Sequence, residues 1–466
     1  MKKVSSVFSV LTFGLPQTRL GRVQASLTLL SLLLRFSVFS VFSVFSVFFV
    51  GEAFAQKSMT VTIQNALNYP RIEIVEMDAQ KVIEKVGDDF TVADASGRFQ
   101  AVQITHDGKL LFQAAVPAKG KVKYTIAEKQ MKGYGLNTIT TPIGQTTFEP
   151  QVFGKCFPER LDDVAWENDV VAFRTYGPAL QKKGETAYGF DVWTKRTSNL
   201  VVQERYDLEL DKEFHSVTNR LKQMGQYALI DDVYYAISYH VDHGTGMDCY
   251  KVGATLGAGT PALLDDNGEI IYPWCWTSYE ILDNGPLRFT VKLHYNGADG
   301  KDYGEERIIS LDAGSQLNKC TVSYSQQPTA NSQQPIAVGI VVHNENPTAY
   351  VLSEKNGYMG YEDLGDSKQY KERFREKLNK DFGRIYIGCV FPEGVDKMYY
   401  KEGQNLPGAV GHIMGVKEFK GSSGSLTYYF GSGWSRNNET DFETLADWEA
   451  YLSRYAECLN NPLKIK

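Results

Sequence analysis

The sequence predicts a mainly β protein: a large antiparallel two-layer sandwich, preceded by a small N-terminal β-sandwich region and carrying helical inserts and a C-terminal helix. Three observations lead there. Segments that alternate apolar and polar residues, or form short apolar runs bounded by Gly, Asn, Asp and Pro, recur from about Cys156 to Gly433. Tyr (27), Phe (25) and Trp (6) are abundant, and aromatic side chains favour pleated, half-buried surfaces. Helical periodicity is confined to two interruptions and the tail.

The chain opens with a segment of targeting character, residues 1–55. Lys2, Lys3, Arg19, Arg22 and Arg35 precede or flank the uncharged run "FSVFSVFSVFSVFFV", and Ala53 and Ala55 stand in an A-x-A arrangement that predicts cleavage before Gln56. Export to the periplasm or the medium follows, with no membrane attachment after cleavage. The apolar run from Phe36 to Val50 is short for a membrane span. Removing the leader takes five basic and one acidic residue from totals of 49 and 55, which leaves a balance of about −10. Such a surface excludes nucleic acid as a partner, because phosphate binding needs clustered positive charge. Six widely spaced cysteines offer no zinc framework and predict mostly buried thiols, with room for one bridge.

Within residues 56–140, "SMTVTIQNAL", "RIEIVEM" and "KVKYTIAEK" read as strands of that first region, with turns at Ala95-Ser96-Gly97 and Asp107-Gly108. A Gly/Thr-rich stretch from Lys132 to Gly144 marks a boundary. The large domain, 150–466, contains "VVAFRTY", "LRFTVKLHY", "EERIISLD", "IAVGIVVHN" and "RIYIGCVF" as strands. Helical interruptions are expected at Leu210 to Leu229 and at Tyr361 to Leu378, and a terminal helix from Asp441, as N-cap, to Leu459.

Groups able to do chemistry concentrate in "YHVDHGTGMDCYKVG", Tyr239 to Gly253. On a strand, His240 and Asp242 would share a face, and a turn at Gly244 and Gly246 would bring His243 round to them. A His beside a carboxylate is fixed in one tautomer and made more basic. The structural alternative is that one His is a core residue while Asp242 and Asp248 cap turns. A second concentration includes Trp166, Glu167 and Asp169 and leads into a strand with Arg174 and Tyr176. Arg174 offers a planar fork for a carboxylate and Tyr176 a phenol, unless Arg174 pairs internally with Asp163 or Asp169. Asp191 and Trp193 alternate on one strand and, with Lys251, Trp274 and Trp434, fit a sugar-gripping surface, although each Trp alone is commonly core. Arg288 follows the turn "NGPL" and is a weaker candidate. No phosphate-binding loop, dinucleotide fingerprint, H-E-x-x-H or G-x-S-x-G elbow is present, which disfavours nucleotide use and the corresponding protease and hydrolase mechanisms.

The combination "ERLDDVAWENDVVAFRTYGPAL", "FDVWTKR", "YHVDHGTGMDCYKVGATLGAGTPAL", "ILDNGPLRF" and "SLDAGSQLN" resembles a bacterial family, domain of unknown function number 4861, over nearly the whole chain after the leader. The resemblance implies a galactose-mutarotase-like supersandwich and exported proteins associated with the use of uronate-containing plant glycans such as pectin. Fold analogy raises the prior for sugar chemistry without selecting a reaction.

These readings converge on an exported carbohydrate-active enzyme acting on an acidic oligosaccharide by β-elimination. Arg174 is assigned to the substrate carboxylate, His240 or His243 to the base, Tyr176 or Tyr250 to the acid, and Asp242 to orienting a histidine. Trp166, Glu167, Asp191, Trp193, Lys251, Trp274, Arg288 and Trp434 are assigned to substrate binding. No metal ligand is assigned, and a divalent ion is admitted as a cofactor. The alternatives are a glycosidase using carboxylates among Glu167, Asp169, Asp191 and Asp242, a mutarotase or epimerase, and a non-catalytic glycan-binding protein.

Overall fold

The computed structural model describes residues 56–129, 148–325, 335–365, 382–403, 405–419, 424–438, 440 and 442–466. The expected leader, the boundary expected at Lys132 to Gly144 and most of the second helical interruption lie outside them.

The first strands build a small sandwich. A five-stranded sheet, in the order Lys464–Ile465, Ser58–Gln64, Lys121–Glu128, Phe90–Asp94 and Phe99–Gln100, accompanies a three-stranded one of Arg71–Asp78, Lys109–Val116 and Val102–Ile104. With the helix Ala79–Val86 they enclose Val61, Ile63, Val82, Leu110, Phe112 and Ile126. The last strand of the chain completes this first sheet, Ile465 pairing with Ile63.

The remainder is mainly antiparallel β-structure. An eight-stranded sheet runs Pro273–Asn284, Arg288–Gly297, Glu305–Asp312, Leu317–Tyr324, Gly424–Trp434, Ile385–Val390, Tyr358–Asp363 and Tyr350–Ser353. Facing it is a five-stranded sheet of Ile270–Ile271, Ala258–Leu264, Ile336–His343, Ala409–Lys417 and Lys397–Glu402. Strand Glu305–Asp312 alternates buried and half-buried residues, as period-two patterning requires, while Ile336–His343 is buried throughout. The layers meet closely at Gly259, where a Cβ would lie 2.8 Å from the Cys389 Sγ and 2.9 Å from the Phe430 Cβ. The Tyr428 hydroxyl donates to the Gly259 carbonyl at 2.8 Å across the same junction. A four-stranded sheet, Asp191–Trp193, Ala172–Thr175, Asp163–Asn168 and Val152–Phe157, packs Trp166, Phe173 and Phe190 into the common core.

The helices depart from expectation in detail. Where one helix over Leu210 to Leu229 was expected there are three, Val202–Glu209, Lys212–Gln223 and Tyr227–Ile237. Asp211 caps the second by accepting from Glu213 N and Phe214 N, so the boundary falls inside the expected span. Tyr361 to Asp363, expected to begin a helix, close the strand Tyr358–Asp363 instead, held by pairing with Ile385–Val390. The tail helix is Leu445–Asn460, and its N-cap is Thr444, joined to Asp447 in a reciprocal capping box, rather than Asp441. Trp448, Leu452 and Ala456, spaced four apart, bury one stripe against Tyr386 and Val390. Gly388 makes room there, since a Cβ would fall 2.7 Å from Leu452. All six cysteines are free, five of them buried.

Candidate functional site

The stretch Tyr239 to Gly253 is mostly turns and bends rather than a strand; it follows the helix Tyr227–Ile237 and runs beside the edge strand Asp191–Trp193, where Asp248 forms a single bridge with Trp193. It is stitched to Thr194 by backbone bonds in both directions with Met247, at 2.9 and 3.1 Å. Gly246, at φ +103°, sits where a Cβ would be 2.1 Å from the Thr194 carbonyl oxygen, so only glycine fits. Asp242 is a turn cap: it accepts from Gly244 N at 2.9 Å and Gly246 N at 3.0 Å, and it pairs with Arg196 at 2.8 Å. It therefore does not orient a histidine. His243 is exposed, its ring edge-on to Tyr235 with centroids 6.0 Å apart. His240 keeps 31% of its side chain exposed and meets a different aspartate, its Nδ1 lying 3.0 Å from the Asp248 carbonyl and 3.6 Å from the Asp248 carboxylate.

Asp248 leads inward to Arg174, which the sequence assigns to a substrate carboxylate. The structure gives that guanidinium internal partners instead. Asp191 Oδ2 accepts from both Nε, at 2.8 Å, and Nη2; Asp248 Oδ2 lies 2.8 Å from Nη2, and Asp163 Oδ2 3.7 Å from Nη1. Tyr176 donates its hydroxyl to Asp191 at 2.8 Å, and the Tyr176 and Trp193 rings flank the guanidinium at 4.9 and 5.1 Å. Arg174 is 4% exposed, Tyr176 8%, and the carboxylates are sealed. Burial is the largest influence on Asp191 and Asp163: it overcomes the pull of Arg174 and raises them to about 7 and about 6. Burial likewise drives the Tyr176 phenol well above its ordinary value, which keeps it protonated. Arg174 and Tyr176 thus form an internal polar network, and a ligand carboxylate would have to displace a carboxylate already bonded there.

The other expected binding residues are dispersed. Trp166 is core, donating to Asn318 at 2.7 Å and stacked with Phe173 and Phe289. Glu167 is a buried partner of Lys195 at 2.7 Å and also accepts from Val202 N at 2.6 Å. Trp193 is buried against Tyr206 and Tyr239. Trp434 donates to the Phe382 carbonyl at 2.8 Å, and half-buried Trp274 offers its carbonyl to Gln181. Arg288 is tied to Asp312 and Glu76, far along the chain from the histidines and in contact with the first sandwich. Residues that alternate on a strand can all point inward when the strand lies between layers, and sequence periodicity does not distinguish that from a ligand-facing surface.

What sequence reasoning missed is a dyad at one end of the sandwich. His343 ends the strand Ile336–His343 of one layer, Asp363 ends Tyr358–Asp363 of the other, and His343 Nδ1 lies 2.9 Å from Asp363 Oδ2. The Tyr361 hydroxyl accepts from His343 N at 3.0 Å. The Tyr250 ring stands edge-on to the imidazole at 5.7 Å, so the stretch singled out above reaches this place through Tyr250, whose hydroxyl is buried, and the adjoining half-exposed Lys251. Burial pulls the His343 pKa down, but the Asp363 charge and hydrogen bond, aided by Glu345, outweigh it and the net shift is upward; Lys251 is close enough to oppose it. With Nδ1 engaged by Asp363, any proton exchange with a ligand falls to Nε2, and the side chain, 6% exposed, is no more open than Tyr176. The available signal was a histidine ending a fully apolar run, "IAVGIVVHN". Among the described residues, no group of three or more His, Cys, Asp and Glu is arranged to hold a metal ion.

Comparison with known proteins adds a family and distant likenesses. The family described as "Domain of unknown function (DUF4861)" matches residues 63–465. The "Uncharacterized protein P7" of Formosa agariphila is 27% identical over 431 residues, covering 87% of this chain and 92% of that protein. Among solved structures, an alpha-mannosidase from Enterococcus faecalis V583 aligns with a TM-score of 0.35 and 8% identity, covering 89% of this chain and 46% of the other. A glycosyl hydrolase family 38 protein from Enterococcus faecalis aligns with a TM-score of 0.34 and 9% identity, covering 89% and 48%. The chain spans about half the length of these solved structures.

Proposed function

The chain belongs to the DUF4861 family, and from that premise we propose an exported carbohydrate-active enzyme that cleaves a uronate-containing oligosaccharide by β-elimination, with His343 as its proton-transfer group. The observation that carries the reading is the 2.9 Å contact of His343 Nδ1 with Asp363, beside Tyr250 and within the electrostatic reach of Lys251. The substrate class rests on the glycan association that the family resemblance implies, and export on the leader pattern of residues 1–55.

In the proposed reaction the Lys251 ammonium neutralises the substrate carboxylate, which makes the neighbouring C5 proton acidic. His343 Nε2 takes that proton, the C5–H electron pair becomes the C4–C5 double bond, and the C4–O bond breaks. The same imidazole, now cationic and held so by Asp363, delivers its proton to the departing oxygen. Tyr250 acts as a positioning residue here, because its hydroxyl is buried. Hydrolysis by paired carboxylates is the less favoured reading: Glu167, Asp191 and Asp242 are each engaged by an internal cation.

Residues 56–466 incubated with oligogalacturonides should yield products that absorb in the ultraviolet through the new double bond and are not heavier by a water. His343→Ala should abolish them while leaving the unfolding transition in place. Full activity in that variant, or water-added products, would reject the mechanism.

A further inference from the structure

A cavity of about 580 Å³ lies between the first sandwich, the outer face of the eight-stranded sheet and the helix Leu445–Asn460; its lining includes Arg288 but no residue of the His343–Asp363 site. Its size is that of an ordinary small-molecule pocket. Tyr69, Tyr429, Tyr451 and Tyr455 line it, with Tyr429 and Tyr455 edge-to-face at 5.4 Å and Tyr451 6.0 Å from Tyr455. Arg454 stands over the Tyr69 ring at 5.3 Å.

The charges around it are organised. Arg71 grips Glu73 with two bonds of 2.6 and 2.7 Å, and Arg288 grips Asp312 at 2.5 and 2.8 Å and Glu76 at 2.7 Å. Those forks fix three carboxylates whose remaining lone pairs can accept from hydroxyl groups. Two further cations, Arg454 and Lys319, line the cavity, and neither is ion-paired among the described residues. The lining carries four cations and three carboxylates, and at its edge the Glu457 carboxylate accepts from the Tyr69 hydroxyl at 2.8 Å, so Arg454 and Lys319 are the cations placed to meet an acidic ligand.

We infer that this cleft is a second, non-catalytic site for a uronate-containing oligosaccharide: ring faces stack on the tyrosines, hydroxyls meet the fixed carboxylates, and a carboxylate meets Arg454 or Lys319. The ligand class rests on the function proposed above; the site itself does not. Its role is to hold a longer glycan while a distant stretch is cut.

The test uses the full chain after the leader, carrying His343→Ala so that no turnover intervenes, and a short unbranched oligogalacturonide followed by calorimetry. Binding that remains in this variant should weaken about tenfold or more, or lose one site, on adding Ile72→Trp at the exposed cleft mouth or Arg454→Ala, both surface changes. Unaltered stoichiometry and affinity in both, or no binding at all, would overturn the inference. In the otherwise native chain, Ile72→Trp should leave cleavage of a short substrate unchanged and slow that of a polymer. Cleft binding without any product from the native chain would instead strike only the proposed function.

Discussion

His343 and Asp363 end strands in opposite layers of the sandwich, yet their side chains meet at 2.9 Å. A carboxylate so placed holds one tautomer and favours the cation. Asp363→Asn should lower the maximal rate about 10²–10⁴-fold. Because the net His343 shift is upward and the Asp363 charge and hydrogen bond are its largest upward causes, the substitution should also move the acid limb of the pH–rate profile to lower pH. A uniform loss with no displacement of that limb would argue that Asp363 only supports the fold.

Lys251 is half-exposed beside His343. If its ammonium meets the substrate carboxylate, Lys251→Met forfeits a charged hydrogen bond of about 1.5–3 kcal/mol, a loss of roughly 10–100-fold in kcat/KM. Initial-rate kinetics on an acidic oligosaccharide and its methyl ester separate the cases, since the ester should be indifferent to the substitution.

Arg174 is shared by Asp191, Asp248 and Asp163 in a buried setting. Arg174→Met should cost about 3–5 kcal/mol in urea unfolding, because it strands buried carboxylates. Arg174→Lys should restore little, since an ammonium lacks the planar fork and its multiple donors. A near-native variant would mean the network relaxes by protonation alone.

The pH dependence of stability carries a distinct signature. Asp191 and Asp163 are raised to about 7 and about 6, so the folded chain holds protons that the unfolded chain releases from about pH 4 upward. Their contribution is fully present below the unfolded value and is lost as pH rises through the folded one. His412, lowered by burial to about 3 while accepting from Leu256 N, works in the opposite sense and costs stability as pH falls below its ordinary value. Asp191→Asn removes one downward contribution, so its deficit relative to the native chain should be larger at pH 5 than at pH 8 in denaturant titrations.

The sheets were legible because alternation and short apolar runs survive in every layer: Glu305–Asp312 alternates and Ile336–His343 does not, and each lies where its pattern requires. The internal network was harder to read. Arg174, Tyr176, Asp191 and Asp248 were singled out or flanked by residue type, but a strand packed on both faces turns its polar residues inward toward one another, and composition cannot tell a sealed ion cluster from a solvent-facing one. Asp242 shows the same ambiguity, since an Asp two residues before a Gly reads equally as a turn cap or a catalytic partner. His343 and Asp363 are twenty residues apart on different sheets, and only the closure of the sandwich brings them together.

The pairing of Ile63 with Ile465 has a consequence for biogenesis. Strand Lys464–Ile465 lies about 400 residues along the chain from its partner Ser58–Gln64, so that stretch of the sheet's edge stays open until both segments have been made and have met. A strand made early must therefore wait for one made much later, and loss of residues 464–465 would bare the backbone of Ile63 and Gln64 to whatever other strand came near.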